Sequence, residues 1–113
     1  MPYMSITTSK TLTPSQKEAL KSQAGKLISL IPGKSESVTM VTIDDGQAMY
    51  FRGEACDCAY VNVKLYKESP FEAKQAFAEA FTKAIEEEAG IAPGDVFLNY
   101  SEYENWASGG TFR

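Results

Sequence analysis

The sequence predicts an α/β fold of the α+β type, in which two β-α-β units form a four-stranded mixed sheet with two antiparallel helices on one face. Two segments carry apolar residues at helical spacing behind capping residues, and each lies between segments rich in β-branched and aromatic residues. The second half of the chain also repeats the pattern of the first across residues 45–57. The length of 113 residues fits one domain, residues 1–113.

The first unit begins with a strand at residues 2–8 ("PYMSITT"). The helix that follows has Thr13 as its N-cap, Pro14 at the first helical position and Gln16 as the partner residue of a capping box. Its core-facing stripe consists of Leu20, Ala24, Leu27, Ile28 and Ile31. The pair at 32–33 ("PG") is expected to end this helix.

Three further segments are predicted to be strands. Residues 37–43 ("SVTMVTI") complete the first unit and lead into a turn at 44–46 ("DDG"). Residues 58–66 ("CAYVNVKLY") open the second unit, and residues 95–103 ("DVFLNYSEY") close it. Because strands joined by a crossover helix pair in parallel, each unit contributes two parallel strands to the sheet.

The second helix is predicted between the last two of these strands. Ser69 is its expected N-cap, with Pro70 at the first helical position and Glu72 as the capping-box residue. Its apolar stripe consists of Phe77, Ala80, Phe81, Ala84 and Ile85. Gly90 is expected to end the helix.

The last strand sends its side chains alternately to the two faces of the sheet. Val96, Leu98 and Tyr100 point to one face. Phe97 and Asn99 share the other. The face without helices is expected to carry apolar side chains that a monomer would leave in water, so we expect copies of the chain to cover it for one another.

The composition argues against several classes of function. A formal net charge of −4, without any cluster of Lys or Arg, predicts no nucleic-acid partner. No apolar run approaches the ~18 residues of a membrane span and no signal peptide is recognisable, so we expect no membrane association and a cytoplasmic location. The chain has no histidine and its two cysteines lie in "CDC" (56–58), which argues against His-based catalysis and predicts no metal site.

Pro2 stands directly behind the initiator methionine. If Met1 is removed, the chain begins with a secondary amine, and an α-amino group titrates near pH ~7.7–8.0, far below a lysine side chain. An apolar pocket and a nearby cation would lower this pKa further and suit the amine to general-base catalysis. Lys34, in the loop after the first helix, could be that cation. Taken alone, a proline that begins a strand and a solvated loop lysine are the more common roles of these two residues.

Four motifs fall in one register along the chain: Pro2, "GK" at 33–34, "PGDVFLNY" at 93–100 and "WASGGTF" at 106–112. On these motifs the sequence resembles the macrophage migration inhibitory factor family of the tautomerase superfamily, over essentially the whole chain. The resemblance implies a homotrimer whose sheets wrap around a central axis, with three active sites between neighbouring subunits. It also implies an activity that needs no cofactor.

The activity that the resemblance implies is keto–enol tautomerisation of phenylpyruvate-like α-keto acids, with dopachrome as a further assay substrate of the family. Pro2, once Met1 is removed, would be the general base. Lys34 would hold the substrate carboxylate, and the backbone at Tyr66 would help to bind the substrate. Asn99, from the adjacent subunit, would hydrogen-bond the far polar group of the substrate.

The resemblance also places Trp106 and Phe112 in the wall of an aromatic pocket. Phe97 replaces a tyrosine that is common in the family, which removes a hydroxyl from the pocket. Tyr66 replaces an aliphatic residue and could narrow the pocket. In "CAYV" (58–61), valine stands in place of the second cysteine of the Cys-Ala-x-Cys motif found in members with thiol-disulfide activity, so we predict no such activity.

A second class of function stays open. The chain could be a cytokine-like or other signalling or binding trimer that keeps the pocket as an evolutionary remnant and that is released without a signal peptide. The two hypotheses differ in their dependence on Pro2. Blocking its nitrogen should abolish a tautomerase activity and need not affect a binding function.

Overall fold

The structure is a computed structural model that describes all residues from Met1 to Arg113. Its strands are β1 (Pro2–Thr8), β2 (Met40–Asp44), β3 (Tyr50–Phe51), β4 (Glu54–Ala55), β5 (Ala59–Tyr66), β6 (Val96–Tyr103), β7 (Ala107–Ser108) and β8 (Thr111–Phe112). Its α-helices are α1 (Pro14–Leu27) and α2 (Phe71–Ala89), and short 3-10 turns span Ile28–Leu30, Glu36–Val38 and Pro93–Asp95. Neither α-helix is both long and apolar enough to cross a membrane.

The main sheet has the strand order β2-β1-β5-β6. The pairs β1–β2 and β5–β6 are parallel, whereas the central pair, β1–β5, is antiparallel. Each helix crosses over between parallel partners, so α1 and α2 run in opposite directions across the same face of the sheet. The predicted four-stranded mixed sheet with two antiparallel helices on one face is therefore confirmed.

The core lies between this sheet and the two helices. In both β1 and β5 every second side chain is buried, as the alternation of their sequences predicts. Residues of both helices join these strand residues in one apolar cluster. Within it, the rings of Phe77 and Phe81 stack with their centroids 5.5 Å apart.

At the start of α1 the predicted capping box is confirmed. The backbone N–H of Gln16 donates to Thr13 Oγ1 over 3.1 Å, and the backbone N–H of Thr13 donates to Gln16 Oε1 over 2.8 Å. These bonds satisfy two N–H groups that the end of a helix leaves without a partner. The local sequence is therefore sufficient to start this helix.

At the start of α2 the predicted capping by Ser69 is wrong. Pro70 occupies the N-cap position and no side chain caps the helix, so Glu72 closes no capping box. The Ser69 backbone N–H instead donates to the Glu102 carboxylate on β6 over 2.6 Å. The other oxygen of that carboxylate accepts a hydrogen bond from Lys74 Nζ over 2.9 Å. A tertiary contact with the sheet therefore fixes this helix start.

Three stretches differ from the boundaries that the sequence predicts. The second strand begins at Met40 rather than at residue 37, because Glu36–Val38 forms a 3-10 turn. The connection between the two units contains the β3–β4 hairpin, and the tail contains the β7–β8 hairpin. Each hairpin turns at two residues with positive φ, the pairs Arg52-Gly53 and Gly109-Gly110.

The face of the sheet opposite the helices, here called the open face, is mixed in character rather than apolar. Side chains with hydroxyl, amide or ammonium groups lie along its middle: Ser5, Thr42, Asn62, Lys64 and Ser101. Aromatic side chains lie nearer the ends of its strands: Tyr3, Tyr60, Tyr66, Phe97 and Tyr103. The expectation of an apolar open face therefore holds only near the ends of the strands.

Because only α1 has a side-chain cap, Thr13→Ala should lower the free energy of unfolding by about 1 kcal/mol. Ser69→Ala should change it by less than about 0.5 kcal/mol, since the Ser69 hydroxyl caps nothing. Denaturant titration of both variants at one protein concentration measures the two values. Equal losses would contradict the difference between the two helix starts.

Candidate active site

A cleft of about 540 Å³ opens at the beginning of β1 and is here called the terminal cleft. Its walls come from the first residues of the chain, from the 3-10 turn before β2 and from the C-terminal hairpin. The lining residues are Met1, Pro2, Tyr3, Ser37, Val38, Met40, Trp106, Ala107, Ser108, Gly109 and Arg113. The two ends of the chain therefore meet around Pro2.

Pro2 is held in place by the pairing of β1 with β5. It is buried and stands opposite Leu65 in the antiparallel register. A proline can begin a strand because it has no N–H to leave unpaired. The backbone N–H of Tyr66 donates to the Met1 carbonyl oxygen over 3.3 Å. Since the Pro2 nitrogen is bonded to that carbonyl carbon, it lies beside the Tyr66 N–H.

Lys34 reaches the same place from the loop after α1. Gly33 adopts a φ of 77° just before it, a conformation that glycine adopts without steric cost. Lys34 Nζ then donates to the Tyr66 carbonyl oxygen over 3.1 Å. The structure thus brings the predicted residues Pro2, Lys34 and Tyr66 together. The Tyr66 backbone bonds the carbonyl that precedes Pro2 through its N–H and the Lys34 ammonium through its carbonyl oxygen.

These surroundings lower the pKa of the terminal amine below its ordinary value of 8.0. Burial is the largest cause, because a partly desolvated ammonium loses favourable hydration. The Lys34 ammonium is the next cause, and the Arg113 guanidinium adds a smaller repulsion. In the 113-residue chain this amine belongs to Met1, and the Pro2 nitrogen is an amide.

The two predicted aromatic wall residues lie in different surroundings. Trp106 lines the terminal cleft, and its ring packs edge-on against Tyr103 with the centroids 6.2 Å apart. Phe112, on β8, is 69% exposed and does not line the cleft. One chain therefore supplies only one of the two aromatic residues to this cavity.

Phe97 and Asn99 lie towards the other end of the sheet. Phe97 on β6 pairs with Tyr60 on β5, and Tyr60 pairs with Thr7 near the end of β1. Pro2 lies at the opposite end of β1. At ~3.3 Å per residue, the stretch of β1 from Pro2 to Thr7 spans about 17 Å. Within one chain, Phe97 is therefore outside the terminal cleft, and Asn99 does not line it either.

Tyr60, Phe97 and Asn99 form a second surface, here called the distal patch. The Tyr60 hydroxyl donates to Asn99 Oδ1 over 2.9 Å. Phe97 is 61% exposed, and its ring packs edge-on against Phe51 with the centroids 4.9 Å apart. The neighbouring Arg52 forms an ion pair with the 3-10 turn before β6 and so fixes the β3–β4 hairpin against the patch.

Sequence reasoning missed three parts of these two surfaces. The cleft wall at Ser37 and Val38 is predicted as the start of a strand, although it belongs to a 3-10 turn. Thr39, whose hydroxyl donates to the Ser35 carbonyl over 2.6 Å, is a residue type typical of such turns. Arg113 belongs to no periodic pattern, so nothing in the neighbouring sequence predicts that it lines the terminal cleft. Tyr60 could have been found, because it alternates onto the same face as the pocket residues of its strand.

No group of three or more Cys, Asp or Glu side chains is arranged to hold a metal ion. The chemistry-bearing groups are instead the terminal amine and the Arg113 guanidinium in the terminal cleft, with the Lys34 ammonium and the Tyr66 backbone N–H beside them. Such an arrangement can bind an anion and, once its amine is neutral, accept a proton.

Several solved structures share this fold. Leishmania major MIF2 matches with a TM-score of 0.93 at 23% identity, over 100% of this chain and 97% of that one. The macrophage migration inhibitory factor-like protein of Entamoeba histolytica matches with a TM-score of 0.87 at 23% identity, over 99% and 98%. Pt0534, in a structure in which it is inactivated by 2-oxo-3-pentynoate, matches with a TM-score of 0.83 at 17% identity, over 97% and 95%. At these identities the likeness shows the fold.

No curated protein sequence matches the chain closely enough to indicate a relationship. The sequence profile of the macrophage migration inhibitory factor (MIF) family does match, over residues 1–112. This range includes the distal patch and every residue that lines the terminal cleft except Arg113. The chain therefore belongs to the macrophage migration inhibitory factor family of the tautomerase superfamily.

Proposed function

We propose that the chain is a keto–enol tautomerase that acts on phenylpyruvate-like α-keto acids with Pro2 as its general base. The observation that carries this proposal is the position of the Met1–Pro2 peptide unit, which lies in the terminal cleft beside the Tyr66 N–H. Membership of the tautomerase superfamily supports a tautomerase activity in general. The cleft itself supports the choice of base and of substrate class.

Removal of Met1 would change the terminal cleft in three ways. It would leave Pro2 with a free secondary amine. It would free the Tyr66 N–H, whose acceptor in this chain is the Met1 carbonyl oxygen. It would also vacate the space that Met1 takes up in the cleft. A base, a hydrogen-bond donor and room for a ligand would thus arise from one cleavage.

The amine created in this way would have a depressed pKa. Burial and the Lys34 ammonium already lower the pKa of the terminal amine in the present chain. Both causes would act on the Pro2 amine, since the nitrogen moves by only one residue. A larger fraction of neutral amine near pH 7 would then be available to accept a proton.

The proposed reaction moves one proton within the substrate. The Pro2 nitrogen takes a proton from the carbon next to the ketone, and the electron pair of that C–H bond forms the C=C bond of an enolate. The Pro2 ammonium then gives this proton to the enolate oxygen, which forms the enol and restores the neutral amine. In the reverse direction the Pro2 nitrogen takes the oxygen-bound proton of the enol, and the resulting ammonium returns it to carbon. Neither direction changes an oxidation state or consumes a second reactant.

The substrate carboxylate would bind opposite Pro2. The Lys34 ammonium and the freed Tyr66 N–H are two donors that lie close to the start of the chain. A carboxylate accepts from both, and the charge on Lys34 strengthens the contact. The α-keto acid class also agrees with Pt0534, which is inactivated by 2-oxo-3-pentynoate, itself an α-keto acid.

A homotrimer would complete the site. The distal patch presents an exposed Phe97 ring and the Asn99 amide at the end of the sheet remote from Pro2. Exposed aromatic rings of this kind are typical of surfaces that a partner covers. In the proposed trimer, Phe97 and Asn99 of one subunit close the cleft of the next, and Phe112 is covered in the same way.

Protein whose mass shows Pro2 as its first residue should catalyse the decay of phenylpyruvate enol. Protein that retains Met1 should be slower by about 10²–10⁴-fold, the typical contribution of a positioned general base. The ultraviolet absorbance of the enol measures both rates. As a control, both forms should sediment as trimers, with three times the mass of one chain. Equal, near-background rates in two folded trimers would contradict Pro2 as base and favour the binding-protein hypothesis.

Lys34→Met in the processed protein should move the acid limb of kcat/KM to higher pH. Activity needs the neutral amine and is lost as pH falls through its pKa, and removal of a neighbouring cation raises that pKa. The KM should also rise about tenfold with the loss of a charged donor. Lys83→Met removes the same charge from an exposed position on α2 and should change neither value. A limb that stays in place or moves to lower pH would contradict the role given to Lys34.

A further inference from the structure

We infer that Tyr60 is a positioning residue for Asn99: it turns the amide N–H donors of Asn99, rather than the amide oxygen, towards the far polar group that the family resemblance places there, and so favours α-keto acids whose far end carries a hydrogen-bond acceptor. The inference rests on the proposed function for the class of substrate. Its geometry rests on the contacts of the distal patch alone.

The contact between Tyr60 and Asn99 determines which groups of the Asn99 amide are free to bind another molecule. The Tyr60 hydroxyl donates to Asn99 Oδ1 over 2.9 Å, so the amide oxygen is occupied. The amide nitrogen has no acceptor within the chain. An asparagine amide carries two N–H donors. The distal patch therefore presents donors, rather than an acceptor, to whatever lies against it.

Asn62 makes this orientation depend on Tyr60. It stands next to Asn99 in the register of β5 and β6, so both amides lie on the open face, on strands about 4.8 Å apart. The Asn62 side-chain oxygen is buried and has no hydrogen-bond partner. A buried acceptor without a partner favours any nearby donor that can turn towards it. Without the Tyr60 hydroxyl, the Asn99 N–H groups would have a competing acceptor inside the sheet.

Tyr60 also supplies the hydroxyl that Phe97 lacks. The two residues are neighbours in the same register, so the phenol lies one strand away from the Phe97 ring. The Phe97 ring is itself fixed by its edge-on contact with Phe51. The far wall of the proposed site thus combines the Phe97 ring, which packs against Phe51, with two amide N–H donors that have no acceptor within the chain. An aromatic substrate with a hydroxyl or ether oxygen at its far end matches both features.

Three substrates test the selection: phenylpyruvate, para-hydroxyphenylpyruvate and para-methoxyphenylpyruvate, whose ether oxygen can only accept. For the processed enzyme, Tyr60→Phe should lower kcat/KM about three- to tenfold for the two substrates with an acceptor, and less than about twofold for phenylpyruvate. Tyr50→Phe is the matched control, because Tyr50 is 74% exposed on the neighbouring hairpin and its hydroxyl bonds no residue. An equal loss on all three substrates would overturn the selection.

A double-mutant cycle separates positioning from a direct role. If Tyr60 acts through Asn99, adding Tyr60→Phe to Asn99→Ala should cause no further loss on para-methoxyphenylpyruvate. Losses that multiply in the double variant would show that Tyr60 acts on the substrate independently, and would overturn the positioning role.

The side-chain amide signal of Asn99 gives a readout that needs no turnover. In ¹⁵N-labelled protein, Tyr60→Phe should shift this signal, whereas Tyr50→Phe should leave it in place. An unshifted signal in Tyr60→Phe overturns the positioning role whether or not the protein is an enzyme. If the wild-type protein turns over none of the three substrates, the proposed function and the substrate selection fail together, and the amide signal still decides whether Tyr60 positions Asn99.

Discussion

The antiparallel pairing of β1 with β5 is the constraint on which the site depends. It sets Pro2 opposite Leu65 and brings the next residue, Tyr66, against the Met1 carbonyl. The Tyr66 carbonyl oxygen accepts a hydrogen bond from the Lys34 ammonium, so the backbone of one residue bonds both the Met1–Pro2 unit and the nearby cation. A slip of one residue would turn the buried side chains of β1 towards the open face, which makes this register strongly specified. The core of the protein therefore also fixes the geometry of its terminal amine.

The same register separates the terminal cleft from the distal patch. A strand of seven residues keeps Pro2 and Phe97 at opposite ends of one sheet. In the proposed site neither end would be complete alone, since the cleft holds the proposed base but only one of the two predicted aromatic wall residues, and the patch holds an aromatic ring and an amide but no base. Assembly of subunits end to end would unite them. The mixed polarity of the open face agrees with a surface that lines an assembly while keeping contact with water.

Sequence patterns predict the features of this fold that depend on interactions between residues close together in the chain. Residue spacing predicts the Thr13 cap and the alternation of buried side chains in β1 and β5. It also predicts that Phe97 and Asn99 lie on the opposite face of β6 from Val96, Leu98 and Tyr100. Ser69 does not follow the pattern, because the Glu102 carboxylate of a strand distant in sequence binds its N–H. The two short hairpins were not predicted, because strands of two residues are too short to show a recognisable alternation of side chains.

In the candidate site, too, some features could be predicted from the sequence and others depend on the tertiary structure. Pro2 and Lys34 were expected from residue type, and the resemblance to the family assigned their roles, but their shared contact with the Tyr66 backbone depends on tertiary structure. The distance between the terminal cleft and the distal patch follows from the antiparallel register of β1 with β5, which the sequence alone does not provide. Arg113 reaches the cleft because the C-terminal hairpin folds back, with its N–H donating to the Trp106 carbonyl over 2.9 Å.

The pairing of β1 with β5 and the neighbouring Lys34 should give the processed protein a weakly basic amine at Pro2. An NMR titration of the Pro2 nitrogen, in protein labelled with ¹⁵N-proline and lacking Met1, measures that property directly. We expect a pKa below the ~7.7–8.0 of an ordinary α-amino group, because burial and the Lys34 ammonium both disfavour the charged form. A pKa at or above that range would rule out this role, since Pro2 would then be mostly protonated at neutral pH and unable to act as the base.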